Sequence, residues 1–405
     1  MENKRDFDLI MWGATGFTGN LVCEYINKNY QEKELKWAIA GRNKKKISKL
    51  QKRLKIDESR IIIADSSDKN SLLKMTERAN VICTTVGPYA KYGTNLIEAC
   101  IETGTNYCDI TGETQWIRRI IDKYQNHAKA KKLKIINSCG FDSVPSDMGV
   151  YFCQNAIYNK TGEYAQKISM RVAGAKGGIS GGTYNSLSNV LEEASLDRNV
   201  RKTLNNPYGL NPDGLQSGPD KRDLMRVKFD KVSNLWIAPF VMAGINTKIV
   251  RRSNALVKFK YGENFQYNEA TIAGKGFFGI LKGYLSLIPI FLATRKKGSL
   301  IKKIVDYILP KSGEGPSKKA RENGYYNLRF YSYTNKKTYL GKVIGDMDPG
   351  YGSTSKMLAE SAICLALDKS SEIYGILTPS VALGDALLKR LKNNAGLKFL
   401  SLIHI

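Results

Sequence analysis

Histidine is almost absent from this sequence, since only His127 and His404 occur among its 405 residues. This scarcity excludes a histidine-rich metal site and disfavours Ser-His-Asp hydrolysis and His-based dehydrogenation. Cysteine pairing signals are also absent: the seven cysteines are scattered, odd in number and include no Cys-x-x-Cys pair. Such a distribution is typical of buried thiols in a reducing compartment. We therefore predict no metal site.

Signals for export and for nucleic-acid binding are missing as well. The segment Met1–Asp6 is charged rather than apolar, so we expect no signal peptide and a cytoplasmic protein. Acidic residues number 37 against 63 Lys and Arg, a formal net charge of +26. This excess favours anionic partners such as a phosphorylated cofactor or an anionic membrane surface. No zinc finger, RNA-binding signature or Gly-Arg tract occurs, so we expect no nucleic-acid partner.

A glycine pattern follows the first apolar run of the chain. The run Leu9–Trp12 ends at Gly13, and Gly16 and Gly19 follow at a spacing of three before a helical stretch. Strand, glycine turn and helix together predict a dinucleotide site, because glycines let the backbone approach a pyrophosphate at a helix N-terminus. The predicted cofactor contacts here are Gly13, Ala14, Thr15, Gly16, Phe17, Thr18 and Gly19.

Strand and helix signals alternate over the first 150 residues. The predicted strands are 6–12, 36–40, 60–64, 80–86, 106–110 and 133–138. The predicted helices are 17–29, 43–54, 68–78, 93–103 and 114–131. Near-continuous apolar strands separated by helices indicate a parallel sheet buried on both faces. We therefore predict an α/β fold: an N-terminal NAD(P)-binding Rossmann domain with a second α+β domain.

Polar residues after the second and third strands indicate which cofactor binds. An NAD site usually places an acid after the second strand, whereas this chain has Arg42, whose guanidinium matches a 2′-phosphate. We therefore predict NADP(H) in preference to NAD(H). Lys45 and Lys46 are expected to be solvated, and Asp65 is placed near the adenine edge.

The later strands end in candidate residues for the nicotinamide side. The Val86-Gly87-Pro88 turn and the Cys139-Gly140 pair are predicted to contact the cofactor. Three side chains are candidates to supply a proton during reduction, and they are Tyr89, Tyr92 and Asp142.

The pattern changes after residue 150. Strands are predicted at 165–173, 256–272, 325–334 and 337–346, a helix at 184–203, and a loop at 205–220. We predict three regions: a Rossmann domain (1–150), an α+β substrate or dimerisation domain closing over the nicotinamide (151–350), and C-terminal helices packing back on the core (351–405). The second glycine cluster, 177–183, is equally compatible with ligand approach and with a tight turn.

One apolar segment is unusual for a globular interior. Residues 276–294 are strongly apolar but are interrupted by Lys282 and Pro289, so they are short for a membrane-spanning helix. Cations and an amphipathic stretch follow up to about residue 310, a composition typical of an interfacial helix on anionic lipid. A membrane-interacting insert at 276–310, a lid and a homodimer interface remain open.

Taken together, the motifs resemble those of a known family. The sequence is similar to the saccharopine dehydrogenase-like oxidoreductases, in the branch with the trans-acting enoyl reductases, from about residue 6 to 392. The shared motifs are GATGFTG (13–19), AGR (40–42), VGPYAKYG (86–93), CDITGE (108–113), CGFDSVPSD (139–147), GGISGGT (177–183), GEGPS (313–317), DPGYGST (348–354) and GILTPS (375–380). The resemblance implies a nucleotide cofactor, a Rossmann domain and, for part of the family, enoyl reduction in lipid assembly. The animal branch is associated with lipid droplets and membranes.

Three functions follow as hypotheses. The first is an NADPH-dependent reductase of an apolar acyl or isoprenoid substrate at a membrane surface. The second is a saccharopine-type amino-acid dehydrogenase, to which Arg118, Arg119 and Arg171 would contribute cations. The third is a membrane- or droplet-associated protein that binds the nucleotide without turnover.

Overall fold

The computed structural model describes residues 5–177, 181–293 and 314–404. The chain divides into two compact units. Unit 1 comprises Met1–Val144 with Gly350–Gly396, and unit 2 comprises Pro145–Pro349 with Leu397–Ile405. The C-terminal region, which the sequence indicated as a single group of helices, is therefore shared between the two units and also contains strands.

Strands and helices alternate through the first part of unit 1. Their bounds are β1 (Phe7–Trp12), α1 (Phe17–Asn29), β2 (Trp37–Gly41), α2 (Lys44–Leu54), β3 (Ile61–Ile63), α3 (Lys69–Thr76), β4 (Ala79–Thr84), α4 (Tyr89–Tyr92), α5 (Thr94–Thr103), β5 (Asn106–Asp109), α6 (Thr114–Ala130) and β6 (Lys134–Ile136). The predicted alternation is confirmed, and α4 is an addition to it. The end of each predicted element lies within two residues of the observed one.

Unit 2 begins with α7 and contains longer strands. Its elements are α7 (Val144–Thr161), β7 (Lys167–Lys176), α8 (Gly181–Leu196), α9 (Arg198–Asn205), β8 (Lys228–Asp230), β9 (Leu235–Ala238), α10 (Ala243–Leu256), β10 (Gln266–Gly274), α11 (Gly276–Ala293), α12 (Lys318–Glu322), β11 (Tyr325–Tyr333) and β12 (Thr338–Gly345). The chain then forms α13 (Thr354–Leu367), β13 (Gly375–Leu377) and α14 (Pro379–Asn393) in unit 1, and β14 (Leu397–His404) in unit 2.

The sheet of unit 1 is parallel throughout. Its seven strands have the order β13-β6-β5-β4-β1-β2-β3, and every neighbouring pair is parallel. Leu9, Ile10 and Met11 of β1 are fully buried, as expected for a central strand with both faces covered. Because all these strands run the same way, the loops after them gather at one edge, where ligands bind in doubly wound folds.

The sheet of unit 2 is mixed. Its order is β14-β12-β11-β7-β10-β9-β8, with β7 and β10 parallel and the other pairs antiparallel. The predicted helix 184–203 consists of two helices, α8 and α9, because the Asp197 side chain accepts from Asn199 N and starts a new helix.

The predicted strand at 256–272 is wrong over its first ten residues. The alternating apolar residues Val257, Phe259 and Tyr261 imitate a strand, but α10 ends at Leu256 and a turn follows. Lys258 and Phe259 have positive φ values of 55° and 56°, and Phe259 N donates to Asn254 O at 2.8 Å. These residues therefore close the end of the helix, and only β10 is extended.

The returning segment 350–396 completes unit 1. Strand β13 pairs with β6 at the sheet edge, and α13 packs against β1, β4, β5 and α1. Glu360 of α13 is fully buried and accepts from the hydroxyls of Tyr25 and Tyr30 at 2.7 and 2.5 Å. Arg390 of α14 pairs with the same carboxylate at 3.1 Å. A buried charge held by these donors ties α13 to α1 and α14.

Three sequence motifs lie partly outside the described residues. They are the second half of the 276–310 segment, from residue 294, the centre of the 177–183 glycine cluster, and the first residue of GEGPS (313–317). Within the described ranges, no helix combines the length and the apolar character needed to cross a bilayer.

Candidate functional site

Two of the three glycines after β1 are required by the fold itself. Gly13 has φ +84°, and a Cβ there would lie 2.6 Å from Val86 Cγ2. A Cβ on Gly19 would lie 2.2 Å from Gly13 O. These contacts let α1 start directly against the end of β1, so the first helical turn lies beside the β4 loop.

Gly16 has a different environment from its two neighbours. It is exposed, its φ is −73°, and the nearest atom to an added Cβ is Gly13 O at 3.3 Å. A side chain here would be tight only against Gly13 O, which is a much smaller clash than at Gly13 or Gly19. An open backbone at this point is what a pyrophosphate needs for close approach.

The start of α1 has the properties of an anion site. Gly16 is its N-cap, and as a glycine it has no side chain with which to cap the helix. Gly13 N and Ala14 N already donate to Ala40 O, at 3.0 and 3.2 Å. The first turn, formed by Phe17, Thr18 and Gly19, lies at the positive end of the helix dipole, which is where anions bind at helix N-termini.

The loops after β1, β2 and β3 bring Thr15, Arg42 and Asp65, respectively, toward the same edge of the sheet. Thr15 Oγ1 lies 4.0 Å from a Cβ built on Gly41, and Arg42 is exposed. The Asp65 carboxylate accepts from Ser67 N and Oγ at 2.9 and 2.7 Å. These hydrogen bonds lower the pKa of Asp65, and the positive charge of Arg42 adds to the effect. Arg42 is thus close enough to Asp65 to lower the pKa of its carboxyl group.

The β4 loop is held by a buried carboxylate that the sequence analysis did not assign. Glu113 is 1% exposed and accepts from Tyr89 N and Ala90 N, at 2.8 and 3.0 Å, which caps α4. Val86 N donates to Thr84 Oγ1 at 3.1 Å. The predicted contacts Val86, Gly87 and Pro88 therefore lie in a loop with fixed ends, beside Gly13.

Tyr89 and Tyr92 lie in contrasting environments. The Tyr89 hydroxyl is buried, donates to Thr84 O at 3.2 Å and accepts from Ile110 N at 3.4 Å, and burial raises its pKa well above the ordinary value. These contacts give Tyr89 a positioning role between β4 and β5, and its role as proton donor stays a prediction. Tyr92 is 43% exposed and is accessible to a substrate.

Asp109, at the end of β5, anchors the loops beside it. Its buried carboxylate accepts from Thr111 N, Tyr107 Oη, Asn137 Nδ2 and Ser138 N at 2.8 to 3.1 Å. Burial raises its pKa to about 6 against the lowering effect of those donors. In the sequence, Asp109 stands out as an acidic residue at the end of an apolar strand. A buried polar group at such a position needs several hydrogen-bond partners.

Asp142 lies in the loop after β6, close to the loop after β5. Its Oδ1 is 3.4 Å from a Cβ built on Gly112, and the side chain is half-buried. Its pKa is raised to about 7, mainly by burial and further by the negative charge of Asp109. A carboxyl group that is still protonated near neutral pH is suited to donate a proton.

The neighbouring Cys139 and Gly140 are packed into the protein. Cys139 is fully buried, its N donates to Asp109 O at 2.7 Å, and burial raises the pKa of its thiol well above the ordinary value. A Cβ on Gly140 would lie 2.9 Å from Thr354 Cγ2. Cys139 exposes no surface, so its contact with the cofactor stays a prediction.

A further part of the site comes from the loop before α13. The Tyr351 ring meets the Phe17 ring edge-on, with centroids 5.3 Å apart. Phe141 N donates to Thr354 Oγ1 at 3.0 Å. The segment 350–354 thus lies between the start of α1 and the Asp142 loop. The DPGYGST motif was visible in the sequence, but nothing local indicated that it returns to this edge.

The described residues contain no group of three or more His, Cys, Asp or Glu side chains able to hold a metal ion. The groups at the sheet edge instead suit a dinucleotide: an open glycine backbone, a helix N-terminus and an exposed guanidinium.

Comparisons with known proteins agree with this geometry. Residues 9–136 match the model of the saccharopine dehydrogenase NADP-binding domain. A Mycobacterium tuberculosis protein provisionally named a trans-acting enoyl reductase is 40% identical over 405 residues, covering 96% of each chain. A trans-acting enoyl reductase of Mycobacterium leprae is 36% identical over 406 residues, again covering 96% of each chain.

The fold also has a counterpart among solved structures. The apo saccharopine dehydrogenase (L-Glu forming) of Saccharomyces cerevisiae aligns with a TM-score of 0.53 and 13% identity, over 98% of this chain and 99% of that one. At this identity the likeness shows the fold alone. On the sequence matches, the chain belongs to the saccharopine dehydrogenase-like oxidoreductases, in the branch of the trans-acting enoyl reductases, and it is an NAD(P)H-dependent oxidoreductase.

Proposed function

We propose that this protein is an NADPH-dependent enoyl reductase that acts on an apolar acyl or isoprenoid substrate. The carrying observation is the exposed Gly16 at the start of α1, in a chain whose relatives are named enoyl reductases. NADPH supplies the hydride when it is bound. Reduction of a C=C bond then needs that hydride on one carbon and a proton on the other.

The residues of unit 1 fit distinct parts of this task. The first turn of α1 would hold the pyrophosphate, and Arg42 would pair with the 2′-phosphate. Glu113 and Tyr89 keep the β4 loop in place, while Asp109 fixes the loops that carry Asp142. Asp142 is the favoured proton donor, because its raised pKa keeps it protonated near neutral pH.

The amino-acid dehydrogenase hypothesis needs cations that can bind the carboxylates of the substrate, and two of the arginines it names are paired with acidic side chains. Arg171 is buried and paired with Asp230 at 2.9 Å, and Arg118 is paired with Asp122. Carboxylate groups of a substrate would have to compete with these protein partners. This favours the apolar substrate over the saccharopine-type one.

The test of the function is oxidation of NADPH by the full chain with a long-chain trans-enoyl thioester. We expect loss of NADPH absorbance that depends on the thioester, with the saturated thioester as product. Saccharopine in its place should give no turnover. Cofactor binding without thioester-dependent oxidation would instead support the silent nucleotide-binding alternative.

Cofactor preference is tested separately with Arg42→Ala. Loss of a charge-assisted pair with the 2′-phosphate should weaken NADPH binding by about tenfold or more and leave NADH binding unchanged. Lys45→Ala is the matched control, since Lys45 is an exposed cation three residues away. Equal loss for both cofactors, or none for NADPH, would contradict the assignment.

A further inference from the structure

Helix α11 exposes a continuous row of large apolar side chains. Phe277, Phe278, Leu281, Tyr284, Leu285 and Ile288 are 73, 81, 46, 56, 54 and 47% exposed. At 3.6 residues per turn these six positions fall within an arc of about 120°. We call these six residues the apolar stripe. Contiguous exposed apolar surface of this kind marks an interaction site.

The opposite side of α11 explains why the stripe points outward. A Cβ on Gly283 would lie 2.9 Å from Val227 Cγ1, and one on Gly279 would lie 2.5 Å from Gly274 O. The helix also packs along β9 and β10. Two glycines therefore allow close contact with unit 2, and the large side chains are left on the other face.

The charged residues of α11 and of the turn before it are all positive. Across residues 270–293, which the structure describes, these are Lys275 and Lys282, and the range contains no Asp or Glu. Lys275 and Lys282 are exposed. Arg226 and Lys228 are also exposed and flank Val227, which contacts Gly283. A partner of this surface must therefore be apolar in its interior and anionic at its boundary.

We propose that α11 lies in the interface of an anionic lipid bilayer, with the apolar stripe among the acyl chains and its lysines at the phosphate groups. An amphipathic helix with cationic flanks binds such a surface through both buried area and charge. Pairing with a second copy of this chain is disfavoured, because a two-fold interface would place the same cations opposite one another without acids. This proposal does not depend on the enzymatic function.

Flotation of the full chain with vesicles tests the proposal. We expect binding to phosphatidylcholine vesicles that contain 30% phosphatidylserine (roughly the anionic lipid share of a charged leaflet), and weaker binding to phosphatidylcholine alone. Leu281→Glu with Leu285→Glu should reduce the bound fraction by about tenfold or more, since it places two carboxylates in the stripe. Leu196→Glu is the matched control, because Leu196 is 81% exposed at the end of α8.

A second variant separates charge from apolar contact. Lys275→Glu with Lys282→Glu should reduce binding to the phosphatidylserine vesicles and leave binding to neutral vesicles unchanged. Circular dichroism and NADPH titration confirm that each variant is folded. Absence of wild-type flotation, or equal flotation of the Leu281/Leu285 variant, would overturn the proposal. So would light scattering that shows a dimer broken by this variant without any vesicle binding.

Discussion

Single residues at the glycine turn separate the requirements of the fold from those of the cofactor. Gly13 and Gly19 are packed so closely that a methyl group has no room, whereas Gly16 is exposed with an ordinary φ. The sequence predicted the strand, the glycine turn and the helix that follows it. The spacing does not reveal which glycines are packed, because that depends on Val86 and Gly13 O.

This difference predicts distinct outcomes for two substitutions. Gly16→Val should lower the melting temperature less than Gly19→Ala does, and it should weaken NADPH binding by about tenfold or more, because the branched side chain fills the space a phosphate needs. Gly19→Ala should lower the free energy of unfolding by roughly 1–3 kcal/mol through overpacking against Gly13 O. Thermal unfolding and fluorescence titration measure the two effects. A Gly16→Val protein that still binds NADPH normally would remove α1 from the cofactor site.

Asp142 predicts a pH dependence of catalysis. Its pKa of about 7 lies above the ordinary value, so the acid form is present below pH 7 and is lost as the pH rises. If Asp142 donates the proton, kcat should fall above about pH 7. Asp142→Asn should lower kcat by about a hundredfold or more with unchanged NADPH affinity. A variant with wild-type kcat would exclude Asp142 as the donor.

The raised pKa of Asp142 also makes the stability of the folded protein depend on pH. The folded form binds this proton more tightly than the unfolded chain, so Asp142 should contribute a decrease in the free energy of unfolding as the pH rises from about 4 to about 7. Asp142→Asn should reduce that slope. Denaturant unfolding at several pH values measures it independently of turnover.

At the scale of elements, the loops of unit 1 depend on buried acids that no local pattern assigns. The apolar runs and their turns predicted six of the seven strands of the parallel sheet to within two residues, and β13 was not predicted. Asn137 and Ser138, which donate to Asp109, and Tyr89 and Ala90, which donate to Glu113, come from other segments of the chain and therefore from tertiary structure. The turn at 257–261 was misread for a related reason, since alternation of apolar residues also fits a helix end with two left-handed residues.

Removal of the Glu113 carboxylate is therefore expected to destabilise α4 and its loop. Glu113→Ala removes the acceptor for Tyr89 N and Ala90 N, and should lower the free energy of unfolding by about 2 kcal/mol. Glu113→Gln keeps one carbonyl oxygen and should lose less. Denaturant unfolding measures both variants, and equal stability of the Ala variant and wild type would show that the cap contributes nothing.

At the scale of the whole molecule, the least predictable feature is the return of the chain to unit 1. Helices α13 and α14 were foreseen, but a helix pattern does not tell which sheet it covers. The structure shows α13 against β1, β4 and β5, and β13 beside β6. The parallel sheet is therefore incomplete without residues 350–396, although the glycine turn and Arg42 both lie in the first 144 residues.

This arrangement predicts that residues 1–144 do not form a stable domain alone, because removal of α13 exposes the apolar strands it covers. A fusion of residues 1–144 to residues 350–396 should fold, since Phe141 N and Thr354 Oγ1 are 3.0 Å apart and a short Gly-Ser linker spans the join. We expect cooperative thermal unfolding and NADPH binding for the fusion, and neither for 1–144. The fusion with Glu360→Ala should melt at a lower temperature, because Arg390 and the Tyr25 and Tyr30 hydroxyls lose their buried partner. If 1–144 alone binds NADPH with the affinity of the full chain, the returning segment is dispensable for the site.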